Sequence, residues 1–232
     1  MKLCLLKNNK EIMKNGTIYN ISCHKKEYED VLNYEDVANW LLKDLNTDNT
    51  EQKLIMINKI KRKISTINSE LIDLDKWNRS VSELYVSSKY KNWFSAVLVH
   101  SMQAYSLSTH KSQSPGIDLI FKDSNKNIHV VEVKYTPKNQ SNNMIELIEQ
   151  LKRRKNNIEP LLSALELAIN NNNDNDDMNS FLLKMQNGKF KIDEEKKLIF
   201  SGCLLSPGKY KSASKIPGFQ KIIIEIKNDN ED

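Results

Sequence analysis

Three ionisable residues carry the chemistry that the spacing of this chain permits. Asp118 lies in one apolar run, Gly116-Ile117-Asp118-Leu119-Ile120-Phe121, and Glu132 and Lys134 lie in the next, Ile128-His129-Val130-Val131-Glu132-Val133-Lys134-Tyr135. The polar connection from Lys122 to Asn127 has the composition of a hairpin turn. Side chains alternate along a strand, so Glu132 and Lys134 share a face and stand roughly 7 Å apart. A hairpin partner brings Asp118 beside Glu132. Two carboxylates and an ammonium then converge on an otherwise apolar sheet, where charge is costly unless it is paired or bound to metal. Carboxylate oxygens suit a hard divalent cation. The competing reading is a structural ion-pair cluster on a solvated sheet face.

The pattern resembles the PD-(D/E)XK nuclease superfamily, whose signature is an acid on one strand and acid-x-Lys on the next. The resemblance is carried by Ser114-Pro115-Gly116-Ile117-Asp118-Leu119-Ile120 and by Val131-Glu132-Val133-Lys134-Tyr135, with acids 14 residues apart, and it covers about Glu83 to Gln150. Asp118 follows Gly-Ile here rather than Pro, although Pro115 is close. The resemblance implies DNA phosphodiester hydrolysis, with Asp118, Glu132 and the Val133 carbonyl holding Mg²⁺ or Mn²⁺. Lys134 would orient water or stabilise developing charge. Glu83, on the preceding helix, would bind a second metal or order a water, with Glu70 as a rival. Gln150 matches a glutamine that some branches place on the following helix. A third reading keeps the fold without the activity, as a nucleic-acid-binding or partner-binding module, because fold does not fix function.

Composition sets outer limits. The chain has 232 residues, a net charge of +5 and a negative mean hydropathy, which fits one domain or one domain plus an extension. A modest positive balance permits nucleic-acid binding without demanding it. Cys4, Cys23 and Cys203 form no CxxC pair, which argues against a zinc ribbon and for reduced thiols. The opening apolar run is too short for a signal peptide, and no stretch is long enough to span a bilayer, so the expected location is cytoplasmic. There is no GxxxxGK[ST] phosphate loop. The layout is also similar to the nuclease subunit of Hachiman-type antiphage systems, which implies a helicase or other motor or sensor partner. A restriction enzyme is the nearest competitor, and a homodimer is compatible with either.

The elements that must position these residues follow from periodicity. The expected fold is α/β, with a restriction-endonuclease-like core: a central mixed β-sheet flanked by α-helices. Residues 1–76 form an N-terminal extension of short strands (about 2–6 and 17–22) and two helices (about 26–45 and 51–76). The second carries the stripe Ile57, Ile60, Ile64, Ile67, Leu71, Leu74. Residues 77–227 form the nuclease-like domain, and 228–232 a disordered tail. The Glu83 helix is expected to run to about Tyr105, with Trp93, Phe94, Val97, Leu98 and Met102 facing the core. A helix over 143–156 buries Met144, Leu147, Ile148 and Leu151 and exposes Lys152, Arg153, Arg154 and Lys155 as a candidate phosphate-binding cluster. That cluster also suits the helix C-terminus electrostatically. Further helices are expected over about 159–169 and 178–185, around the Asn/Asp-rich run 170–177. Strands return over 197–205 and 221–226, joined by a basic loop. His100 and His110 are bystanders, and His129 points away from Glu132.

Overall fold

Near-continuous apolar runs, in the hairpin and again in the later strands, build one sheet. We describe a computed structural model of the chain over residues 15–29, 74–101, 116–137, 141–157, 159–164, 183, 198–208, 210 and 214–230. Its strands are β1 (Thr17–His24), β2 (Ala96–Ser101), β3 (Leu119–Asp123), β4 (Ile128–Tyr135), β5 (Leu198–Ser206) and β6 (Phe219–Lys227). Its helices include α1 (Lys25–Glu29), α2 (Leu74–Phe94) and α3 (Ser141–Asn156). The six strands lie in the order β1-β6-β5-β4-β3-β2. Pairing is parallel from β1 through β4 and antiparallel from β4 through β2, so the sheet is mixed. The expected α/β architecture with a central mixed sheet is therefore present.

Each face of the sheet is covered. α2 packs Val81, Leu84, Tyr85, Tyr90 and Phe94 against Phe121, Val131, Cys203 and Ile222. α3 packs Met144, Leu147, Ile148 and Leu151 against Ile120, Val130, Phe200 and Leu204. Every residue of β5 is buried, as expected of a parallel strand with both faces covered. Gly202 of β5 lies directly under α3: a Cβ there would sit 3.0 Å from Leu147 Cδ2 and 3.3 Å from Leu151 Cδ1. The missing side chain lets the helix settle low on the sheet, beside Glu132, which pairs with Gly202 in register.

The Glu83 helix is shorter than the sequence suggests. It ends at Phe94, because Ser95 adopts φ 52°, a left-handed conformation that terminates helices. Ala96-Val97-Leu98-Val99, rich in β-branched residues, then forms β2 instead of continuing the helix. Val97 is accordingly an exposed strand residue, not core. Between β3 and β4, the Asp123 carboxylate accepts the amides of Asn125 (2.9 Å) and Asn127 (2.8 Å) and the Asn127 side-chain amide (2.8 Å), which fixes the turn. From Asp123 a buried polar chain runs through His129 (3.2 Å), Tyr90 (2.9 Å) and Ser201 (3.1 Å) to Gln220 (2.8 Å), tying α2 to four strands. His129 thus faces α2, opposite to Glu132, as strand alternation requires.

β1, expected within an extension, pairs along its length with β6 and so belongs to the sheet. Residues 228–230 of the expected tail are described, and Asp229 accepts the Lys26 amide at 3.0 Å. The strand expected over 2–6, the Ile stripe from 57 to 71, Glu70, Cys4, His110 and the run 170–177 lie outside the described residues. Cys23 and Cys203 are buried free thiols. Among the described residues, no helix is long and apolar enough to cross a membrane.

Candidate active site

The β3–β4 ladder stops at Leu119 paired with Val131. One residue before β3 and one later in β4, the same register sets Asp118 opposite Glu132. Asp118 replaces the missing ladder bond: its Oδ2 accepts the Val133 amide at 2.7 Å. A strand residue turns its N–H and C=O to the same edge, so the Val133 carbonyl lies along the edge that Asp118 occupies. Both acids are buried, Glu132 completely.

Glu132 is held from α3. Its Oε2 accepts the Gln150 side-chain amide at 2.7 Å, and its Oε1 accepts Arg154 Nε at 3.0 Å. Burial pushes the Glu132 carboxyl up to about 9, helped by the charge of Asp118 and opposed by Arg154. Burial also raises Asp118, against the Val133 amide, a hydrogen bond shared with Glu132 and the charge of Arg154. Glu83 reaches the same neighbourhood from α2. Burial raises its carboxyl well above the usual range, and the charges of Asp118 and Glu132 add to the effect. Its Oε2 is buried with no hydrogen-bond partner.

Asp118, Glu132 and Gln150 are therefore brought together, with Val133 joined to Asp118, while Glu83 is near enough to feel the charges of both acids but bonds to neither. Lys134 is not. It shares the Glu132 face, yet its ammonium is paired with Glu146 of α3 in a largely exposed contact. Of the basic cluster, Lys152 pairs with Glu149 at 2.6 Å, Arg153 is exposed, and Lys155 lies 5.9 Å over the Phe219 ring. Arg154 corrects the expectation of an exposed cluster: it turns inward, donating to Glu132 and to the Gly116 carbonyl. His100 is buried and bonded to the Ile117 backbone, and burial lowers it to about 4.

Sequence reasoning missed the second stripe of α3. Glu146, Gln150 and Arg154 recur every fourth residue beside the apolar stripe, and they meet Lys134, Glu132 and Gly116 in turn. That spacing was the available signal. The donor set has the chemistry for a hard cation: carboxylate oxygens, a nearby carbonyl and one unpartnered buried oxygen. Carboxylates keep further lone pairs beyond those used by Gln150 and Arg154. Among the described residues, however, no three His, Cys, Asp or Glu side chains are gathered closely enough to form a metal centre as they stand. In comparisons with known proteins, no family model, no curated protein and no solved structure matches this chain.

Proposed function

We propose that this chain is a divalent-cation-dependent nuclease of the PD-(D/E)XK kind, hydrolysing DNA phosphodiesters in restriction or antiphage defence together with a motor or sensor partner. One observation carries the reading: Asp118 stands opposite Glu132 at the end of the β3–β4 ladder, both are buried, and Glu83 of α2 lies close enough to feel both charges, with burial raising all three carboxyls. A carboxyl strongly raised by burial beside a charged partner is a candidate functional group. The order of α2, the Asp118 strand, the Glu132 and Lys134 strand and α3 supports a restriction-endonuclease-like core.

In this reading Asp118, Glu132 and the Val133 carbonyl hold Mg²⁺ or Mn²⁺, and Glu83 adds a carboxylate from the other side. When bound, the cation polarises the scissile phosphate and acidifies a water. Gln150 keeps Glu132 oriented. Lys134 leaves Glu146, whose exposed pairing holds it weakly, and stabilises the charge that develops on the phosphate. Lys152, Arg153 and Lys155 lie along the end of α3, where they can meet the nucleic-acid backbone.

The test is incubation of the purified chain with plasmid in Mg²⁺ or Mn²⁺, with and without EDTA, beside Glu132→Ala. Cation-dependent cutting that Glu132→Ala abolishes supports the reading, and equal cutting by both proteins ends it. The pairing of Lys134 with Glu146 favours a second reading, a nucleic-acid-binding or partner-binding module. That reading predicts salt-sensitive DNA binding without cleavage, even with a partner supplied.

A further inference from the structure

Arg154 looks, from sequence, like one cation among four at a helix end. In the structure its contacts set it apart. Its side chain is 26% exposed and bonds to Glu132, which is 0% exposed. Nε donates to Glu132 Oε1 at 3.0 Å, while an Nη donates to the Gly116 carbonyl. Gly116 has φ 73°, a conformation that favours glycine, and a Cβ on it would stand 3.1 Å from Arg154 Nη2. Gly116 therefore presents its carbonyl with the guanidinium pressed against a bare α-carbon. Two residues later comes Asp118, already beyond the end of the β3–β4 ladder. A planar guanidinium reaches two acceptors at fixed angles, which an ammonium does not.

We propose that Arg154 is a positioning residue, a two-point brace that clamps the Gly116–Asp118 segment to Glu132 and so holds the Asp118 carboxylate on the Val133 amide. Its meaning for catalysis rests on the nuclease reading, but the brace is measurable without cleavage. In the free chain the Val133 amide has Asp118 Oδ2 as its acceptor, so its hydrogen exchange reports whether Asp118 is held. Val131, paired with Leu119 inside the ladder, is the internal control.

The experiment is amide exchange by NMR on the full chain in EDTA, comparing wild type, Arg154→Ala and Arg154→Lys. Exchange at Val133 relative to Val131 is expected to rise about 10- to 100-fold in both variants, as for loss of a charge-assisted bond that gates local opening. An unchanged ratio in Arg154→Ala overturns the brace, and so does full restoration by Arg154→Lys, which would mean that charge alone suffices. If Arg154→Ala unfolds globally, both amides accelerate together and Arg154→Lys, which keeps the charge, decides. A shifted ratio in a protein whose wild type cuts no nucleic acid keeps the brace and removes the nuclease. Where cleavage is present, loss of the brace lowers kcat and leaves KM near wild type, whereas loss of a phosphate contact raises KM.

Discussion

Lys134 offers the sharpest separation of catalysis from stability. Its side chain is 30% exposed and its partner Glu146 63% exposed, so the pair lies in water and contributes little to folding. Lys134→Ala should therefore unfold at the wild-type urea midpoint. Its effect on cleavage should be large, because removing one preorganised charge donor from a phosphoryl-type transition state costs about 10²–10³-fold in rate. The geometry allows Lys134 to serve both partners: it shares the Glu132 face, roughly 7 Å along the strand, within the swing of a four-carbon chain. Glu146→Gln removes the competitor. It should leave folding unchanged and raise the rate by no more than about fivefold, because an exposed pair restrains its lysine only weakly. The assay is plasmid nicking under single-turnover conditions in Mn²⁺, paired with urea unfolding of each variant. Wild-type cutting by Lys134→Ala refutes the role of the lysine. Loss of cutting in Glu146→Gln would show that the ion pair itself is the working form.

The remaining predictions concern the acids and their supports. A carboxyl raised on folding costs stability that grows as pH climbs from its unfolded value toward its folded one. Glu83→Gln should therefore stabilise the chain in EDTA by about 1–4 kcal/mol, with a larger gain at pH 8 than at pH 5; equal or lower urea stability at pH 8 would contradict the burial of an uncompensated charge. Burial favours a raised Asp123, but hydrogen bonds from His129 and Asn127 outweigh it and hold the carboxyl below its usual range. Its contribution is then complete above the unfolded value near pH 4 and lost as pH falls through the folded one. Asp123→Ala should cost about 2–4 kcal/mol at pH 7, and a deficit that fails to shrink at pH 3 would discount the charge. Gly202→Ala should destabilise by about 1–3 kcal/mol through contact with Leu147 and Leu151, and thermal unfolding at or above the wild-type midpoint would show that α3 yields freely.

The hairpin was legible because two signals coincided: apolar runs of strand length, and a polar connector that puts Asp123 where its carboxylate closes the turn. Register followed from the same pattern, since a slip of one residue would have sent Glu132 into the α2 face with His129 and Val131. The end of α2 was not legible. Ser95 carries no glycine signal for a left-handed cap, and Val97, Leu98 and Met102 suit a helical stripe as well as a strand. Only pairing with β3 decides between them, and that pairing is a tertiary fact.

The same distinction explains why Arg154 was misread. Position at a helix terminus says that a cation is favoured there, and nothing about which way it points. Direction is set by how closely α3 approaches the sheet, and that closeness is set by Gly202, 48 residues further along the chain. Once α3 is lowered, residues every fourth position along its flank must meet β4 and the segment before β3. A lysine at 154 would satisfy the terminus equally well, yet it would leave either Glu132 or the Gly116 carbonyl without its donor. The residue type at 154 is therefore constrained by the acid pair rather than by the helix, and a charge cluster in a sequence divides into solvent-facing and site-facing members only when the neighbouring layer is known.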